Sequence, residues 1–123
     1  MACLVIVDGP AQGKHFALGE HRLVGIGRDE ECTFQVVDPL ISRRHLQIRL
    51  DERGQHIAAD YRSANGVIIN GVKIVTDAPL KHGDEIAIGG SRIVYSAEDY
   101  PDAHSAMEGL RKKGEWKRST LLK

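Results

Sequence analysis

The sequence predicts an all-β fold, a sandwich or a barrel, from three observations. Short β-type runs recur through the first hundred residues: CLVIV, HFAL, RLVGI, FQVV, LQIRL, HIAAD, VII, VKIV, EIAIG and RIVYS. Turn-forming residues separate them, at Gly9-Pro10, Gly13, Asp38-Pro39, residues 51–54, Asn65-Gly66, Asn70-Gly71 and His82-Gly83-Asp84. No stretch among them sustains helical spacing over three turns. Many short strands divided by turns at this spacing point to an all-β domain.

Taken in order, the first run lacks a basic leader and stops at Asp8, too short for a signal peptide or a membrane span, so it reads as a first strand. The following GPAQGKH has the look of a phosphate-binding loop but fails as one. Only three residues separate its glycines, His15 stands where Ser or Thr should hold magnesium, and KHFAL reads as a strand instead of a helix. It is a turn between the first two strands. RLVGI ends in GIGR, which lacks the third glycine and the helix of a dinucleotide fingerprint. LQIRL and HIAAD follow the polar loop DPLISRRH. VII and VKI then flank Asn70-Gly71, the residue pair suited to a two-residue type I′ hairpin. Asn65-Gly66 cannot be the same device, because only residues 67–69 separate the two pairs and no partner strand precedes the first. EIAIG and RIVYS complete the set.

The pattern changes near Tyr100-Pro101. Ala103, Ala106, Met107 and Leu110 fall on one stripe of a short amphipathic helix, and residues 101–123 carry six Lys or Arg against three Asp or Glu. The expected division is a β-domain over residues 1–98 and a short helix with a basic tail over 99–123. The whole chain has 123 residues, 41% hydrophobic and 28% charged, with a formal net charge of zero. One domain with one core fits this length, and the charge gives no case for nucleic acid or a membrane as main partner. Cys3 and Cys32 form no CxxC pair and no disulfide framework, which fits a reducing cytoplasm. The histidines show no metal-ligand spacing, and no cofactor motif is present.

Ser42, His45 and Asp38 invite a Ser-His-Asp reading, yet no GxSxG elbow exists and a triad is defined by geometry, not proximity in sequence. Non-catalytic binding fits better. In order, the chain presents Gly27-Arg28, Ser42-x-x-His45, Asn65-Gly66 and Asn70-Gly71, with Gly13-x-x-Phe16-x-Leu18 before them and LKHGDEIAIG after. This ordered set resembles the forkhead-associated (FHA) domain, a phosphothreonine-reading module, over nearly all of residues 3–97.

The resemblance implies a β-sandwich of about eleven strands with the ligand on loops at one end. It implies that Arg28 and Ser42 contact the phosphate, that Arg43 adds a contact, and that Asn65 bonds the peptide backbone. Gly27, His45, Gly66, Asn70 and Gly71 are expected to support the site. The implied partner is a phosphothreonine-containing protein or peptide, in the setting of a Ser/Thr kinase or its substrate; the alternative is a phosphate-independent scaffold. The chemistry agrees: phosphothreonine carries about −1.5 to −2 charges and three strong acceptor oxygens, which guanidinium and hydroxyl donors suit. Ala64 departs from the family pattern, where Thr or Ser often adds a phosphate bond, and Arg43 is the expected compensation. Leu40 and Ile41 in the loop suggest an aliphatic preference three residues after the phosphothreonine. Thr120, after Lys117-Arg118, has the setting of a basic-directed kinase site.

Overall fold

A computed structural model describes residues 2–61 and 63–97. The expected helix, the basic tail and Thr120 lie outside the described residues.

Among the described residues eleven strands form two sheets. In chain order they are β1 (Cys3–Asp8), β2 (His15–Ala17), β3 (Leu23–Gly27), β4 (Phe34–Gln35), β5 (Leu46–Leu50), β6 (His56–Asp60), β7 (Ile68–Ile69), β8 (Val72–Lys73), β9 (Ala78–Pro79), β10 (Glu85–Ile88) and β11 (Ser91–Ser96). One sheet runs β2-β1-β11-β10-β7-β8 and the other β4-β3-β5-β6-β9. The fold is the β-sandwich expected. Ten of the strands match the runs of the sequence. β9 does not, because it is a two-residue edge strand that includes Pro79, and proline without an N–H belongs at an edge.

Alternation selects the core. Leu4 and Ile6 of β1, Ile86 and Ile88 of β10, and Ile93 and Tyr95 of β11 pack from one sheet against Val24, Ile26, Leu46, Ile48 and Ala58 of the other. Burying such a side chain contributes roughly 1.5–3 kcal/mol. A bulge between Ile6 and Asp8 shifts the register of β1 against β11.

Pairing also decides where the loops gather. β3 runs antiparallel to β5, with Ile26 opposite Leu46, and β5 antiparallel to β6, with Leu46 opposite Asp60. The end of β3, the start of β5 and the end of β6 therefore meet at one end of the sandwich. Residues 28–33 return the chain so that β4 lies parallel to β3, and Val36 donates to the Gly27 carbonyl at 2.8 Å. The β10–β11 turn reaches the same end, where Gly90 and Ser91 bond Asp38.

Candidate functional site

The candidate site rests on close backbone approach. Gly27 ends β3 directly beneath the loop before β5, and a Cβ there would collide with the Arg43 carbonyl. That clearance lets Arg28 N donate to Ser42 O and Asp29 N to Arg43 O, each at 3.1 Å, so the two loops are laced together. The exposed Arg28 side chain starts from this lacing. Its Nε donates to the Ile41 carbonyl at 3.1 Å. The guanidinium is anchored by one edge, and its terminal amino groups have no acceptor among the described residues.

His45 is fully buried and ties two loops. Ser42 N donates to its Nδ1 at 3.1 Å, which requires Nδ1 to be the acceptor. Nε2 therefore carries the proton and donates to the Gly66 carbonyl at 2.7 Å. Gly66 has φ +80°, and its N–H donates to the Ser63 hydroxyl oxygen at 2.9 Å. Ser63 N in turn donates to Asp60 Oδ1 at 2.9 Å, at the end of β6.

Ser42 Oγ accepts from Ala64 N at 3.0 Å. Its own proton stays available to an incoming acceptor. The exposed Asn65 donates from Nδ2 to the Leu40 carbonyl at 2.9 Å, keeping Oδ1 and a second amide proton for another partner. Arg28, Ser42, Arg43 and Asn65 thus meet around one loop, residues 38–43, whose carbonyls hold two of them. Arg43 is exposed, with its carbonyl also accepting the Cys32 thiol at 3.2 Å. Burial, then the nearby Asp29 carboxylate, push that thiol's pKa up, so Cys32 is a hydrogen-bonding strut. Neither Cys32 nor Cys3 is in a disulfide.

Asn70 and Gly71 stand apart from this loop cluster. Their φ values of 50° and 84° are both positive, as a type I′ turn needs, and they join β7 to β8. Asn70 Oδ1 accepts from Glu85 N and Nδ2 donates to Asp84 Oδ1, each at 2.9 Å. The residue therefore pins the hairpin to the start of β10.

The roles of two residues escaped sequence reasoning. Asp38, 1% exposed, accepts from Leu40 N at 2.9 Å, Gly90 N at 2.9 Å and the Ser91 hydroxyl at 2.8 Å. It fastens the central loop to the opposite sheet, a role that neither Asp38-Pro39 as a turn nor the Ser-His-Asp reading suggested. Lys73 lies opposite Ile68 in the hairpin and extends over Gly66, with Nζ 3.3 Å from where a Cβ of residue 66 would sit. A two-residue turn at residues 70–71 implies that register, but not the reach of the side chain. Among the described residues no group of three or more His, Cys, Asp or Glu could hold a metal ion.

The chain is similar to known proteins and to solved structures. The chain is 36% identical over 94 residues to the glycogen accumulation regulator GarA of Mycolicibacterium smegmatis, covering 76% of this chain and 58% of that one. The chain thus spans a little over half of that relative's length. A forkhead-associated domain from Chlamydia trachomatis superimposes with a TM-score of 0.73 at 26% identity, covering 80% of this chain and 97% of that one. A structure determined for phosphothreonine-dependent FHA domain interactions matches with a TM-score of 0.67 at 29% identity, covering 80% and 98%. The family model for the FHA domain matches residues 24–89, from β3 through the end of β10, and the chain belongs to the forkhead-associated domain family.

Proposed function

We propose that this domain binds phosphothreonine-containing peptides without catalysing a reaction, and so couples a partner protein to Ser/Thr kinase signalling. The observation that carries the reading is the convergence of unspent donors on one loop. Arg28 is braced through Nε with its amino groups open, Ser42 accepts one bond while keeping its proton, and Asn65 keeps an acceptor and a donor. Arg28, Ser42 and Arg43 take the phosphate, and Asn65 takes the peptide backbone beside it. Lys73 adds positive charge next to the turn at Gly66. Gly27, His45 and Gly66 hold the loops, and Asn70 and Gly71 hold the hairpin behind them.

The Asp29 carboxylate fits this arrangement in spite of its charge. Its Oδ1 accepts from Glu31 N at 3.0 Å, a local turn bond that partly satisfies it away from the ligand. Charge-assisted bonds contribute about 1.5–3 kcal/mol each, so a few of them less ordering costs give affinity of about micromolar order. The partner is a phosphothreonine protein, a Ser/Thr kinase or its substrate. Two cysteines outside any disulfide fit a cytoplasmic setting. No described helix is long and apolar enough to cross a membrane.

Paired threonine and phosphothreonine peptides, titrated calorimetrically, test the reading. Binding of the phosphorylated peptide alone is expected. Equal affinity for both would favour a phosphate-independent scaffold and overturn it.

A further inference from the structure

Lys73 carries a charge that no group among the described residues neutralises. It is exposed, stands opposite Ile68 in the β7–β8 hairpin, and lays its stem across Gly66. Cε is 2.7 Å and Nζ 3.3 Å from where a Cβ of residue 66 would sit, so the missing side chain there makes room for the stem. Carboxylates of the adjoining segments are engaged elsewhere. Asp60 accepts from Ser63 N, Asp77 pairs with Arg49, and Glu85 pairs with Arg92. The central loop, residues 38–43, meanwhile divides the candidate site into two flanks. On one, the Ser42 and Arg43 carbonyls accept from Arg28 N and Asp29 N. On the other, Ser42 Oγ and the Leu40 carbonyl accept from Ala64 N and Asn65 Nδ2. The first flank carries successive carboxylates at Asp29, Glu30 and Glu31, more than Arg44 near Cys32 offsets. The second flank carries Lys73.

We propose that Lys73 sets a sequence preference, favouring an anionic side chain one or two residues from the phosphothreonine, on the side that Asn65 holds. This rests on the proposed phosphothreonine site. Its scale follows from chain geometry. Ser42 Oγ holds Ala64 N, and Gly66 is two residues farther on, at most about 7 Å away. An extended peptide advances about 3.3 Å per residue, so its next one or two side chains come under the ammonium. An acid on the opposite flank would meet Asp29, Glu30 and Glu31 instead, and like charges repel. The chemistry required is an anionic oxygen, supplied by Asp or Glu or by a second phosphorylated residue. Lys73 suits either, since an ammonium on a flexible stem acts as a point charge without a fixed fork.

The test titrates a phosphothreonine peptide with alanine flanks against versions bearing Glu or phosphoserine one or two residues to either side. An anionic residue on one side only should tighten binding by about two- to fivefold at low salt, the range of exposed ion pairs. The gain should shrink in high salt. A gain from Glu assigns a carboxylate, and a gain from phosphoserine alone assigns a second phosphate. The ratio of affinities for the anionic and alanine peptides, taken within each protein, should fall to about one in Lys73→Met. It should survive in Lys73→Arg, and Lys73→Glu should instead prefer a peptide with Lys at that place. No gain in the unsubstituted chain, or an equal gain on both sides, overturns the proposal without any variant having to fold. A ratio kept by Lys73→Met while every peptide weakens equally would put the ammonium on the phosphothreonine itself and overturns it too. Phosphothreonine binding without a flank preference removes this proposal alone, whereas failure of every phosphopeptide to bind removes the proposed function with it.

Discussion

Ser42 shows how a short loop divides its polar groups between holding itself and meeting a ligand. Its N–H fixes the His45 tautomer, its carbonyl receives Arg28 N, and its Oγ accepts from Ala64, so only the hydroxyl proton is unspent. Arg28 is the reverse, with one edge bound and the rest open. Arg28→Ala should therefore weaken phosphopeptide binding by about 30- to 150-fold, or 2–3 kcal/mol, with little change in thermal stability. Calorimetric titration beside a melting curve checks both, and unchanged affinity would mean that the phosphate sits elsewhere. Asp38 belongs to the structure beneath. Asp38→Ala strands three donors, two of them on the opposite sheet, at a cost of about 2–4 kcal/mol in urea unfolding. Since the loop it fastens offers the Leu40 and Ile41 carbonyls that orient Asn65 and Arg28, peptide affinity should fall as well at temperatures where the variant stays folded. Full affinity in a folded Asp38→Ala variant would show that the loop keeps its shape without this anchor.

The two Asn-Gly pairs carry the lesson at the scale of elements. Local propensity offered the same turn for both, yet only Asn70-Gly71 has two consecutive positive φ values and a strand on each side. Asn65-Gly66 closes a loop whose shape depends on His45 and Leu40, far away in sequence. Strands with regular alternation, such as β5 and β10, were legible because one face must be apolar, and β1 as a continuous apolar run. The parallel return of β4, edge strand β9 and the reach of Lys73 were not, since each follows from tertiary pairing rather than local pattern. Arg28, Ser42 and Asn65 were legible as an ordered set. Asp38 was not, because a buried acceptor in a turn reads locally like any Asp-Pro. The same reasoning gives the hairpin a distinct prediction. Asn70→Ala loses two side-chain bonds and puts a Cβ residue without them at φ 50°, which should cost about 1–3 kcal/mol of stability. Phosphopeptide affinity should stay within about twofold, well under the 1.4 kcal/mol of a tenfold change. A large loss of affinity with intact stability would move Asn70 into the binding site.

Across the whole molecule, the sandwich separates its ligand end from an end concerned with stability. Along the β5–β6 pair, Leu46 opposite Asp60 lies at the ligand loops and Leu50 opposite His56 at the far end. His56 is buried there edge-on to Tyr95, with Nδ1 2.7 Å from the tyrosine hydroxyl and Nε2 enclosed without a partner among the described residues. Burial lowers its pKa below the usual 6.5, opposed in part by the Asp51 carboxylate, because a charged imidazole would lose its hydration. The sign follows from proton counting. Below pH about 6.5 the unfolded chain binds a proton at this position that the folded chain resists, so acid favours unfolding. The contribution is complete above that pH and is lost progressively as pH falls toward the depressed folded value. Chemical denaturation of the wild type and of His56→Gln, compared from pH 8 to pH 5, isolates this residue from the other histidines. The stability difference between them should be constant at the alkaline end and narrow as acid is added, because glutamine has no proton to take up. A difference independent of pH would mean that His56 is as easily protonated in the fold as in the open chain.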